Sequence, residues 1–168
     1  MKKTTTTLLA GLLILGAWDA GAADKKSKKK EKAFKGKVIN IKAFNDKAGL
    51  MKYDPNEFKV KTGEKVRLIL KNTNGPIFPK VAMGHNLVIL KKGVTAIAFG
   101  VEVTPKANLT NDMMPKEAMP KVFKHTKLLG PGESDTIEFT APEPGAYEFV
   151  CTFTGHFALM RGKMTVTK

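Results

Sequence analysis

From Val38 onward, apolar and polar positions alternate in short runs broken by turn residues, the period of half-buried β-strands. Val38-Ile39-Asn40-Ile41-Lys42-Ala43-Phe44 alternates in part. Glu57-Phe58-Lys59-Val60-Lys61 alternates cleanly, and Thr62-Gly63 then turns the chain. Lys65-Val66-Arg67-Leu68-Ile69-Leu70 follows and ends in the turn-forming run Asn72-Thr73-Asn74-Gly75-Pro76. His85 opens the apolar run His85-Asn86-Leu87-Val88-Ile89-Leu90. Asp135-Thr136-Ile137-Glu138-Phe139-Thr140 alternates up to the turn Pro142-Glu143-Pro144-Gly145. Ala146-Tyr147-Glu148-Phe149-Val150-Cys151 alternates again and delivers Cys151 at its end. Gly162-Lys163-Met164-Thr165-Val166-Thr167 closes the chain. Short strands spaced by turn signals predict an all-β fold, an antiparallel sandwich.

The stretch from Lys91 to Lys127 breaks this pattern. Ala96-Ile97-Ala98-Phe99 is its last clean alternation, and Pro105, Pro115 and Pro120 interrupt it. A short helix is expected between Asn111 and Phe123, with Asp112 as its cap and Pro115 in its first turn. The segment reads as an excursion outside the sheets.

The N-terminus reads differently again. Residues 1–22 have the form of a secretory signal: Lys2 and Lys3, the apolar run from Leu8 to Trp18, and the small-residue cleavage site Ala20-Gly21-Ala22. The run is too short to anchor in a bilayer, and no other window looks transmembrane. The expectation is an exported protein of the periplasm, cleaved near Ala22, with no integral membrane segment in its mature form.

Charge adds a second feature. The whole chain carries +14, and +13 remains once Lys2, Lys3 and Asp19 leave with the signal. Residues 23–37 hold eight lysines against Asp24 and Glu31, with only Phe34 to bury. Such a segment does not offset its ordering entropy and is expected to be a disordered tail. It is either a solvated arm or an electrostatic lure for an acidic protein or an anionic membrane surface. Nucleic acid is disfavoured, because the expected compartment holds none. Residues 38–168 form the remaining domain, enough for one real core.

Candidate chemistry centres on Cys151, the one cysteine in the chain. It cannot form an intramolecular disulfide, and a free thiol outside the cytoplasm oxidises unless something holds it. His156 follows after five residues and Met160 after four more. One loop can fold these three donors around an ion, and His85 supplies a second imidazole from upstream. Two His, one Cys and a weak axial Met form the ligand set of a blue-copper site. Soft sulfur suits Cu(I) and imidazole suits Cu(II), so such a site holds either state with little rearrangement. Taken singly, each donor has a plain reading: Cys151 as a buried thiol, His85 as a core histidine, Met160 as core. The combination argues otherwise. Met113, Met114 and Met119 pack the flap or its apolar edge, or else form a Cu(I)-trapping surface.

Three stretches carry a family resemblance: Met83-Gly84-His85-Asn86, His125-Thr126-Lys127-Leu128-Leu129-Gly130-Pro131-Gly132-Glu133, and Cys151 to Met160. The domain resembles the azurins, bacterial members of the cupredoxin family. The resemblance covers residues 38–168 and is weakest between Lys91 and Lys124. It implies a cupredoxin-like Greek-key β-sandwich of about eight strands with a helix-bearing flap. It implies one copper ion per chain, cycling between Cu(I) and Cu(II), and a role carrying single electrons. His85, Cys151 and His156 resemble the strong ligands, Met160 the long axial ligand, and the Gly84 carbonyl the opposite axial group. Asn86 and Phe153 match positions behind the ligands, with Asn86 tying the two ligand loops together. Met51, Phe78, Ala82, Met83, Gly155, Ala158 and Leu159 match the apolar patch at which partners dock, around a partly exposed edge of His156. His125 matches a histidine outside the ligand set.

The chain also departs from that family. It has no second cysteine for the usual disulfide. Leu87 replaces a common buried tryptophan, and Asn74 replaces a histidine associated with pH-dependent behaviour. Thr154 stands where the ligand loop usually has proline, adding an N–H able to point toward the thiolate. The partners implied are redox proteins such as c-type cytochromes or a periplasmic reductase, with acidic docking faces. No general base, nucleophile or open substrate position argues for an enzyme. The alternative is a copper carrier or chaperone that hands over the metal itself.

Overall fold

The computed structural model describes residues 34–168. The expected signal and most of the expected tail lie outside the described residues. Phe34 to Lys37 are described: the Arg67 guanidinium lies 4.4 Å from the Phe34 ring centre.

Among the described residues, nine strands form two sheets. They are β1 (Lys37–Asn45), β2 (Met51–Asp54), β3 (Glu57–Lys61), β4 (Lys65–Asn72), β5 (Val88–Leu90), β6 (Val122–His125), β7 (Ser134–Thr140), β8 (Gly145–Val150) and β9 (Arg161–Thr167). One sheet has the order β2-β1-β4-β7 and the other β3-β9-β8-β5-β6. The expected sandwich is there, but it is mixed rather than purely antiparallel: β1 pairs parallel to β4, and β3 parallel to β9. The reason is the route. After β2 the chain crosses to the other sheet for β3 before returning as β4, so β1 and β4 meet without a hairpin.

Alternation drives the packing. In β4, Val66, Leu68 and Leu70 turn inward while Lys65 and Lys71 face solvent. They meet Ile41, Phe58, Phe149 and Met164 in the main core. Each such side chain contributes roughly 1.5–3 kcal/mol by leaving water.

Two strands were hidden in the pattern. Β2 has four residues, and β6 lies inside the irregular stretch. The flap also differs from expectation. Its α-helix is α2 (Ala96–Val103), following a one-turn α1 (Lys80–Met83). Ala96, Phe99, Gly100 and Val103 lie on one buried face. Their i, i+3, i+4, i+7 spacing is helical. The first four residues also alternate as a strand would, and that reading loses once the whole face is buried against Val88, Leu90 and Val150. The Asn111–Phe123 region holds a 3-10 helix at Lys116–Lys121 instead, with Pro115 as its N-cap. Asp112 does not cap it; it adopts the left-handed conformation at φ 52°. The three flap methionines do not gather into one cluster. Met113 packs in the main core, Met114 packs under α2, and Met119 is exposed.

Candidate metal centre

Cys151 sits one residue past β8, at the end of a strand pinned on both sides by β5 and β9. The loop after it is short and strongly shaped. Gly155 adopts φ +81°, a conformation a side chain disfavours. It turns the chain into the 3-10 helix His156–Ala158. The loop closes on itself: Cys151 N–H donates to the Met160 carbonyl at 3.0 Å, and Met160 N–H donates to the His156 carbonyl at 2.8 Å. Met160 is fully buried. His85 arrives from the other side, held in a bridge with Leu129.

These elements bring His85, Cys151 and His156 together, each with a donor atom within 4.8 Å of the others. Cys151 Sγ lies 3.7 Å from His156 Nδ1 and 4.0 Å from His85 Nδ1. Bonds of about 2.3 Å to sulfur and about 2.0 Å to nitrogen, opening at about 120°, separate their donors by about 3.7 Å. The three side chains therefore fit one shared ion. Thiolate and two imidazoles are a donor set that suits copper in either state.

Burial sets the protonation of this cluster. Desolvation lowers His85 to about 3, with His156 adding to the shift. Desolvation also lowers His156 to about 4. Burial pushes the Cys151 thiol up to about 11, opposed by the backbone N–H groups of Asn86 and Phe153. At neutral pH both imidazoles are free to coordinate, and the thiol gives up its proton when a cation takes its place. The N–H groups acting on the sulfur belong to Asn86 and Phe153; the extra N–H of Thr154 is not among them.

The surroundings hold the donors in place. Asn86 ties the two loops: its Oδ1 accepts from Thr152 N–H at 2.9 Å, and its Nδ2 donates to Thr152 Oγ1 at 2.7 Å and to the Asp112 carbonyl at 3.2 Å. Thr152 Oγ1 in turn donates to the Met113 carbonyl at 2.6 Å. The Phe153 ring lies over His156 with centroids 4.6 Å apart. Gly84 has an ordinary φ of −72°. Its constraint is space: a Cβ there would lie 2.7 Å from the Lys80 carbonyl and 3.1 Å from both Leu128 and Phe153.

Several contributors were not apparent from sequence. Asn74 Nδ2 lies 2.9 Å from His85 Nε2, so the residue at the expected histidine position contacts a candidate ligand. Asn72 Nδ2 donates to the Met83 and Leu129 carbonyls and holds the His85 loop. Buried Tyr53 donates its hydroxyl to the Asn86 carbonyl. Helix α2 backs the ligand loop, because Gly100 leaves no room for a Cβ beside Phe157. Only the clustering of Asn72 and Asn74 in one turn hinted at any of these.

His156 keeps 5% exposure and His85 none. The expected exposed edge of His156 is thus a sliver. Of the expected patch, Phe78, Ala82, Gly155, Ala158 and Leu159 are exposed, while Met51 and Met83 are half-buried. Asn45 Nδ2 donates to the Met83 sulfur at 3.7 Å, which turns that side chain inward. Ile77 and Val81, on the same segment as Phe78, are exposed and enlarge the apolar surface. His125 lies on β6, with its Nδ1 3.0 Å from the Thr126 carbonyl, apart from the cluster.

The description "Copper binding proteins, plastocyanin/azurin family" matches residues 38–167. The chain belongs to this family. It is 38% identical to azurin of Alcaligenes faecalis over 61% of its own length and 78% of that protein. It is also 38% identical to outer membrane protein H.8 of Neisseria meningitidis, over 69% of this chain but only 62% of that longer protein. Among solved structures, dithionite-reduced auracyanin from the photosynthetic bacterium Roseiflexus castenholzii superposes with a TM-score of 0.65. It is 38% identical, covering 78% of this chain and 97% of auracyanin. The plastocyanin/azurin family binds copper, and the His85, Cys151, His156 cluster is of its type 1 kind.

Proposed function

We propose that the protein carries single electrons between periplasmic redox partners through one type 1 copper ion held by His85, Cys151 and His156. Met160, buried in the same loop, and the Gly84 backbone carbonyl would add weaker donors to the ion. Bound copper would supply the one-electron couple. The observation that carries this reading is the closed cluster of one thiol and two imidazoles, buried and already at metal-sharing distances.

The chain's own groups set the chemistry. Burial excludes water and small substrates from the donors. Asn86, Thr152 and Asn74 hold the loops, so little moves when charge changes by one. The sulfur accepts N–H groups from Asn86 and Phe153, which stabilise its anionic form. Electrons enter and leave near His156, the ligand with residual exposure, across the apolar surface of Phe78, Ala82, Ala158 and Leu159. Encounters there are small and short-lived, as with c-type cytochromes or a reductase. A copper carrier that hands over the metal is the weaker reading, because the thiol and both imidazoles are buried.

Copper analysis and visible spectroscopy of the purified protein test the proposal. One copper per chain and an intense blue colour, lost on reduction and regained on oxidation, are expected. Cys151→Ser should abolish the colour, while Met160→Leu should keep both copper and colour. A colourless oxidised copper protein, or a Cys151→Ser variant that stays blue, overturns the assignment.

A further inference from the structure

Strand β1 runs from one end of the sandwich to the other. Its last residue lies beside the metal centre: Asn45 N–H donates to Asn74 Oδ1 at 2.8 Å, and Asn74 Nδ2 lies 2.9 Å from His85 Nε2. Its first residue is Lys37, eight steps away, so the chain enters the domain about 26 Å from the ligand end.

Lysines from several segments converge on this entry end. Lys37 Nζ donates to the Lys59 carbonyl at 2.6 Å. Lys37 pairs with Val66, which places Lys65 alongside. Lys61 pairs with Thr167, which brings the terminal Lys168 to the same end. Two turns close it, with Thr62 Oγ1 donating to the Pro142 carbonyl at 2.7 Å and Gly63 N–H to the Ala141 carbonyl at 3.0 Å. Lys35, Lys37, Lys59, Lys61, Lys65 and Lys168 are all exposed, and among the described residues none forms an ion pair. The opposing carboxylates are few. Glu64 accepts the Lys61 backbone N–H, Glu143 lies 3.5 Å from Lys92, and Glu138, on the strand beside Lys65, pairs with Arg67.

This position changes the meaning of the charge. At about 26 Å, between two and three screening lengths at 0.1 M salt, it acts little on a partner seated at His156. Lysine is a hydrated point charge on a flexible stem. Lysines on separate turns match a plane of diffuse negative charge. Shaped protein interfaces select aromatic and arginine anchors instead.

We propose that this lysine-rich end binds anionic phospholipid headgroups and holds the protein at a membrane surface with its metal end facing away. The protein would then exchange electrons from a bound position, with the apolar patch free.

The test is co-sedimentation of the purified exported chain with vesicles. One set contains 30% phosphatidylglycerol in phosphatidylcholine, the other phosphatidylcholine alone. Binding is expected on the anionic vesicles only, weakening as salt rises. A lysine at such a surface contributes roughly fivefold, so the triple variant Lys37→Gln, Lys61→Gln, Lys65→Gln should bind on the order of 100-fold more weakly. The paired variant Lys47→Gln, Lys71→Gln, near the metal end, should bind as the parent does. Far-UV circular dichroism checks that each variant is folded. Copper-loaded protein should be reduced by a small water-soluble reductant equally fast whether bound or free. Equal binding to both vesicles, an unaffected triple variant, or slowed reduction on vesicles overturns the proposal. So does tighter binding to soluble polyglutamate than to vesicles of equal charge, which would make an acidic polypeptide the occupant.

Discussion

Truncating Asn86 to alanine should loosen the metal centre by a calculable amount. The side chain makes three hydrogen bonds, two to Thr152 and one to the Asp112 carbonyl. Asp112 is exposed and can turn to water, so that loss is small. Thr152 is fully buried, and its N–H would lose its acceptor with no water to replace it. An orphaned buried donor costs about 1–3 kcal/mol, and the lost bond to Thr152 Oγ1 adds about 1 kcal/mol. The sum is roughly 2–4 kcal/mol. For a domain of this size that corresponds to a drop in Tm of about 6–15 °C. Urea unfolding of the metal-free protein measures it directly. Thr152→Val keeps the N–H bonded to Asn86 Oδ1 but removes the hydroxyl that joins Asn86 Nδ2 to the Met113 carbonyl, so it should cost a similar amount. The double variant should cost less than the sum, because the two residues share a bond. An Asn86→Ala variant within about 0.5 kcal/mol of the parent would refute the reasoning, since the loops would then be held together without this tie.

Two further outcomes follow from the same site. Both imidazoles titrate lower in the folded protein, at about 3 and about 4, than the usual 6.5. Below pH 6.5 the unfolded chain therefore binds more protons than the folded one, so metal-free stability should fall as pH drops from 6.5 toward 4. The slope approaches roughly 2–3 kcal/mol per pH unit, and flat urea midpoints between pH 7 and 5 would contradict it. Gly84→Ala should destabilise the domain by about 1–3 kcal/mol, because its Cβ meets the backbone carbonyl of Lys80 rather than a movable side chain. It should also weaken copper retention by displacing His85, checked by a chelator competition; unchanged stability and retention would show that the loop yields freely.

What the sequence determined alone is local in origin. Each sheet strand with clear alternation, such as β3, β7 and β8, was legible because its period of two is written in neighbouring residues. The Cys151, His156, Met160 spacing was legible for the same reason: one short loop carries all three. Β2 and the true helix were not. Β2 has four residues, too few to show a period, and Ala96 to Phe99 fits both a strand and a helix until burial chooses. The tertiary structure decided everything that joins distant segments. It placed His85 Nδ1 4.0 Å from a sulfur 66 residues away, and put Asn74 against that histidine. It buried His156 almost completely. It also set the lysine-rich entry and the metal centre at opposite ends of β1. Charge is a property of composition, but its reach is set by distance, and only the folded chain fixes that distance.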